Sequence, residues 1–165
     1  MAIGPDSEKL DARSIVGKPM PALDLDWSGA QPPDLRGQVV LVRWFTEGCP
    51  YCATTAPQLV SFHDELEPRG LRVIGVYHHK SDDPLDPKHV REFADELHFK
   101  FPVAIDHDWK TLRAWWLDQH PGWTSLSFLI DKRGTVRFVH TGGEYGPGSD
   151  DAAQMRRWID QLLAE

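Results

Sequence analysis

Val39-Val40-Leu41-Val42-Arg43-Trp44-Phe45, followed after Thr46-Glu47-Gly48 by Cys49-Pro50-Tyr51-Cys52, is the stretch on which the reading of this 165-residue chain turns. A near-continuous apolar run of seven is the pattern of a strand covered on both faces. The residues from Thr54 to Leu66 then show helical spacing through Leu59, Phe62 and Leu66, with Pro57 expected to kink the helix. Both cysteines of the chain therefore sit where a buried strand hands over to a helix. With Cys49 as the N-cap and Pro50 as the first helical residue, unpaired backbone N–H groups and the positive end of the helix dipole face the Cys49 sulfur. Both favour thiolate over thiol, which marks Cys49 as an attacking group. Cys52, one turn further in, is placed to close an intramolecular disulfide and release a mixed-disulfide partner.

Outward from this centre, Gly70 ends the helix and Leu71–Tyr77 reads as the next strand, so strand, helix and strand imply a right-handed crossover and parallel pairing. Asp86 and Pro87 look like the N-cap and first residue of a helix running through Val90, Phe93, Ala94 and Leu97. Phe101–Ile105 is expected to be a short strand, and a helix is expected from about Trp109 to Leu117. Asp131-Lys132-Arg133-Gly134 joins Ser127–Ile130 and Thr135–His140 as an antiparallel hairpin on the far side of the sheet. Gly142 to Asp151 reads as loop, its Gly142-Gly143-Glu144-Tyr145-Gly146 start as a flexible connector, and Ala152 to Leu163 as a closing amphipathic helix with Met155, Trp158, Ile159 and Leu162 on one stripe. Four prolines, Pro19, Pro21, Pro32 and Pro33, punctuate the N-terminal part, so Leu23–Trp27 is expected as no more than a short edge strand. The domain reading is a tail over residues 1–16, partly flexible, and one domain over 17–165.

Composition narrows the function. The net charge of -7, from 18 basic and 25 acidic side chains, argues against nucleic acid or an anionic lipid surface as partner. No stretch approaches the ~20 apolar residues of a membrane span. Met1 to Asp11 has neither the basic start nor the apolar core of a secretory signal. The chain is thus expected in the cytoplasm if full length, and in the periplasm or otherwise outside the cytoplasm if a signal or anchor has been removed. Two cysteines three residues apart close too small a loop to staple a fold. Half of a zinc site is the structural alternative, but no second such pair exists and His78-His79 would have to supply the other ligands. Adjacent histidines at a strand end point to opposite faces, so no metal is expected there, nor at Asp106-His107-Asp108.

Taken in order, the segments resemble the thioredoxin superfamily, and within it the TlpA-like (ResA-type) thiol-disulfide oxidoreductases. The likeness rests on Gly17-Lys18-Pro19-Met20-Pro21, on Leu35 to Phe45, on Cys49-Pro50-Tyr51-Cys52-Ala53-Thr54-Thr55-Ala56-Pro57, on Phe101 to Asp106, and on Phe128-Leu129-Ile130-Asp131-Lys132-Arg133-Gly134. The resemblance implies an α/β thioredoxin fold: a mixed central β-sheet flanked by helices, with an N-terminal extension and a TlpA-type central insertion. It also implies exchange of disulfides with protein thiols and a reducing or oxidising redox partner, acting as a monomer without a bound cofactor. Two positions depart from the pattern. Ser125, after Thr124, stands where the family has a substrate-facing cis-proline; because a cis bond before a non-proline residue costs about 2.5–4 kcal/mol, the Thr124–Ser125 bond is expected to be trans. Arg43 stands where thioredoxins have a buried acid, and is read as a strand arginine reaching the surface. Glu47 is then the nearer proton acceptor, Pro50, Tyr51 and Pro57 are supporting residues, and Trp123 lines the groove or plugs the core.

Three alternatives stay open. Thr46-Glu47-Gly48-Cys49 matches the Thr-x-x-Cys of peroxiredoxins of AhpC/TSA type, in which Cys49 would attack peroxide. Against it stand Val42 where those proteins have Pro, Ser125 where they have Arg, and the second cysteine. Cys-Pro-Tyr-Cys is also a glutaredoxin tetrapeptide, although this chain carries an extension and an insertion. A binding module with an incidental dithiol would predict sulfurs shielded from solvent.

Overall fold

Val39–Phe45 forms β1, and all seven of its residues are buried. The computed structural model describes residues 15–120 and 122–165, so most of the tail expected over residues 1–16 lies outside the described residues. β1 is the middle of a five-stranded sheet of order β3-β2-β1-β4-β5. It pairs in parallel with β2 (Leu71–Tyr77), which pairs in parallel with β3 (Val103–Ile105). On its other side it runs antiparallel to β4 (Ser127–Ile130), the first arm of the hairpin with β5 (Val136–His140). Parallel and antiparallel neighbours on either side of β1 make the sheet mixed, as expected.

Both faces of this sheet are covered, which is why β1 is apolar throughout. On one face Leu41 and Phe45 pack with Leu59 and Phe62 of α1 (Pro50–Leu66), Val90 and Ala94 of α2 (Pro87–Glu96), and Met155, Trp158 and Ile159 of α4 (Asp150–Ala164). On the other face Val40, Val42 and Trp44 pack with Leu112, Trp115, Trp116 and Phe128. Trp44, Trp115 and Phe128 meet edge-on with centroids 5.3–5.5 Å apart, the arrangement ring quadrupoles favour.

Four segments differ from expectation. Leu23–Trp27 is not a strand: the Leu25 N–H turns back to the Leu23 carbonyl at 3.0 Å, and only Asp26 bridges to Ile105. The segment instead crosses the tryptophan-lined face, burying Met20, Leu23, Leu25 and Trp27 against it. β3 begins at Val103 rather than Phe101, since Pro102 has no N–H to donate to a ladder. The helix expected from Trp109 to Leu117 is broken. Asp108 and Trp109 sit at φ 54° and 58°, and α3 is confined to Lys110–Leu112 before widening into a π-turn over Arg113–Leu117. The Asp106 carboxylate accepts from the N–H groups of Thr111 and Leu112 and from Trp44 Nε1, and so fixes where the helix can start.

The stretch from Thr141 is not a loose connector. Thr141, Gly143, Tyr145 and Gly146 are buried, the Tyr145 N–H donates to Thr55 Oγ1 at 3.0 Å, and Gly146 sits so close to α1 that a Cβ there would lie 2.7 Å from Thr54 Cγ2.

Candidate active site

The dithiol is built by the start of α1. Cys49 is the N-cap, in extended conformation, and Pro50 occupies the first helical position. The Cys52 N–H donates to Cys49 Sγ at 3.2 Å, the cap bond that the spacing of the two residues implied. Both cysteines are free thiols; Cys49 is half-buried and Cys52 is 4% exposed.

Opposite them stands the loop before β4. The structure contains no cis peptide among the described residues, so the Thr124–Ser125 bond is trans as expected. Ser125 nonetheless faces the sulfurs: its Oγ lies 3.4 Å from Cys49 Sγ and 3.4 Å from Cys52 Sγ. The loop is tied by Lys80, whose Nζ donates to Thr124 Oγ1 at 2.7 Å. Trp123 packs partly onto the tryptophan-lined face and lines the groove as well. That groove, of about 500 Å³, runs past Glu47, Cys49, Tyr51, Lys80, Trp123 and Ser125. Tyr51, 44% exposed, stands at its rim and packs on Gly143, which holds φ 80° with no side chain to meet the ring.

The two thiols are pushed apart. Burial raises the Cys49 thiol, but hydrogen bonds from the Cys52 side chain, Ser125 and the Cys52 N–H, with the Arg43 charge, outweigh it and leave it below its ordinary range. For Cys52, burial dominates and raises the thiol, against the opposing pull of Arg43. An outer sulfur that ionises readily and an inner one that does not is the asymmetry an attacking and a resolving thiol need.

Other expected residues sit elsewhere. Glu47 turns away, its Oε2 2.7 Å from His89 Nε2 at the surface, and raises the His89 imidazole through that hydrogen bond. Pro57 lies inside α1 beside an apolar groove formed with Ala53, Val60 and Leu97, away from the sulfurs' open side. The metal candidates do not converge: among the described residues no group of three or more His, Cys, Asp or Glu could hold an ion. His78 is wholly buried with neither ring nitrogen bonded, whereas His79 bonds Tyr77 and Asp83.

Arg43 does not reach the surface. It is 0% exposed, because the β1 face it shares with Leu41 and Phe45 is roofed by α1 and the Thr141–Gly146 stretch. Its Nη2 donates to the Gly143 carbonyl and lies 4.0 Å from Cys52 Sγ; its Nη1 lies 3.4 Å from Ser127 Oγ. The guanidinium also sits 5.5 Å from the centre of the Tyr145 ring, and Tyr145 Oη bonds Ser127 Oγ at 2.6 Å. The signal for it in the sequence was a single charge inside a strand covered on both faces. Gly143, Ser127 and Tyr145, from 84 to 102 residues away, carried none.

The chain is similar to known proteins. The model of the AhpC/TSA family matches residues 16–139. The protein DipZ of Mycobacterium bovis is 31% identical over 125 residues, 73% of this chain but 17% of DipZ, so the chain spans about a sixth of that relative's length. The thiol-disulfide oxidoreductase YkuV of Bacillus subtilis is 27% identical over 153 residues, 90% of this chain and 96% of YkuV. A thiol:disulfide interchange protein of the thioredoxin family from Chlorobium tepidum superposes with a TM-score of 0.70 at 23% identity, over 93% of this chain and 99% of its own, and establishes the fold as thioredoxin-like.

Proposed function

Because this chain belongs to the AhpC/TSA family and its full-length relative YkuV bears the name of a disulfide exchanger, we propose that it is a thiol-disulfide oxidoreductase acting on protein thiols and disulfides. The observation that carries the reading is the oppositely tuned pair at the mouth of α1, with Ser125 Oγ at 3.4 Å from each sulfur. The Cys49 thiolate attacks one sulfur of a substrate disulfide and the other substrate sulfur leaves as thiolate. Cys52, once deprotonated, then attacks Cys49 Sγ, forms the Cys49–Cys52 disulfide and expels the second substrate thiolate. The groove beside Tyr51 and Trp123 is open enough for an extended peptide, and the role given to Glu47 is that of a groove-edge carboxylate rather than a proton acceptor.

The test is a pair of variants assayed for insulin reduction. Cys49→Ser is expected to lose exchange by at least a thousandfold, and Cys52→Ser to accumulate mixed disulfides that survive non-reducing electrophoresis. Equal, mild losses in the two would overturn the assignment of roles. The peroxidase reading predicts instead that Cys52→Ser keeps consuming peroxide while insulin reduction is absent from the parent protein.

A further inference from the structure

We propose that Arg43 is a positioning residue for the resolving step, a buried cation that holds the Cys52 sulfur as its counter-anion. The inference rests on the disulfide-exchange reading and concerns how the inner thiol of that pair is activated.

Arg43 is a charge that the fold leaves incomplete. A guanidinium stays protonated at every relevant pH, and a buried charge is tolerated only when paired and hydrogen-bonded. Here the partners are neutral: the Gly143 carbonyl, Ser127 Oγ and the face of Tyr145. Among the described residues no carboxylate pairs with it, and its Nε, buried, has no partner. The sulfur beside it is Cys52 Sγ, 4.0 Å from Nη2, which burial keeps protonated at rest and which must become an anion in the resolving step.

The surroundings leave this role to the sulfur. Facing Cys52 from the α1 start is Cys49, from β1 Arg43, and from the loop after β5 Tyr145, with His140 behind it and His78 beyond the end of β2. Burial keeps the Tyr145 phenol protonated and holds His78 and His140 neutral. No carboxylate is hydrogen-bonded to either sulfur among the described residues, so nothing nearby is built to take the Cys52 proton. A proton acceptor would assist by removing the proton; a cation assists by stabilising what remains. In the mixed disulfide the Cys52 proton passes to solvent, the thiolate forms against Arg43, and its electron pair makes the bond to Cys49 Sγ as the Cys49–substrate bond breaks. The substrate thiolate leaves and takes a proton from solvent. Closing the disulfide consumes the anion and strands the cation, so Arg43 also biases the couple toward its reduced state.

The decisive measurement is thiolate absorbance at 240 nm against pH in a Cys49→Ser background, where Cys52 is the sole cysteine. Arg43→Met is expected to lower the thiolate fraction at a given pH about tenfold and Arg43→Lys to restore most of it. In the two-cysteine protein, Arg43→Met is expected to shift the equilibrium with glutathione about tenfold toward the disulfide, equivalent to about 30 mV. Should the Met variant not fold, Arg43→Gln, which can still donate to the Gly143 carbonyl, serves as the neutral variant. An unchanged Cys52 titration, or a Lys variant as impaired as the neutral one, overturns the proposal and leaves Arg43 a packing residue. The titration uses no substrate, so failure of the exchange reading would appear separately, as a parent protein inactive on insulin.

Discussion

Ser125 shows how much one side chain can replace. The family likeness places a proline there, and the chain has a hydroxyl that bridges the two sulfurs on a trans backbone. Its hydrogen bond is among the forces that hold the Cys49 thiol below its usual range. A thiol lowered in this way reacts as thiolate above its depressed pKa and loses reactivity as pH falls through it. Ser125→Ala is therefore expected to move the pH profile of Cys49 alkylation upward and to slow labelling at pH 7 severalfold, since one neutral hydrogen bond contributes about 1 kcal/mol. Iodoacetamide kinetics between pH 5 and 9 on the parent and the variant would check this; superimposable profiles would show that the hydroxyl is a bystander. Cys49, Pro50 and Cys52 were legible because helix-start chemistry is local. Arg43 was misread because its partners are not encoded within β1, although a charge inside a strand covered on both faces pointed to its burial.

At the scale of elements, the site depends on the stretch between β5 and α4 lying flat on α1. Gly146 permits that approach: a Cβ there would meet Thr54 Cγ2 at 2.7 Å and the Thr54 carbonyl oxygen at 3.2 Å. Gly146→Ala must push the loop, and with it the Gly143 carbonyl that Arg43 binds, away from the helix. Overpacking of this kind costs about 2 kcal/mol, which for a chain of this size lowers the thermal midpoint by roughly 4–8 °C. Calorimetry would read it, and adding Thr54→Ser, which removes the nearer clash, should recover part of the loss. The broken helix at α3 follows the same logic at another junction. Local periodicity pointed to a continuous helix from Trp109, but the Asp106 carboxylate claims the N–H groups of Thr111 and Leu112 and moves the start to Lys110.

Across the whole molecule the acid stability should carry the mark of buried imidazoles. Burial, with Lys80 and Arg43 nearby, lowers His78 from 6.5 to about 3. The folded protein therefore keeps it neutral while the unfolded chain takes up a proton. Stability from this residue is complete above pH 6.5 and is lost as pH falls from 6.5 toward 3, by up to about 5 kcal/mol. His140 is shifted the same way, chiefly by burial, though its bond to Asp151 resists. His78→Leu leaves no hydrogen bond unmade, since neither ring nitrogen has a partner. The variant should lose clearly less of its urea midpoint from pH 7 to 4 than the parent, the remaining slope coming in part from His140; parallel declines would show that His78 is not the source. What the linear chain determined by itself was the strand–dithiol–helix unit, the parallel crossover, the late hairpin and the closing amphipathic helix. All of these rest on periodicity, capping and turn residues within a few positions of one another. The tertiary structure alone decided that Leu23–Trp27 covers a sheet face instead of extending it. It alone brought Gly143, Ser127 and Tyr145 around Arg43, because burial and electrostatic partnership depend on which distant segments meet.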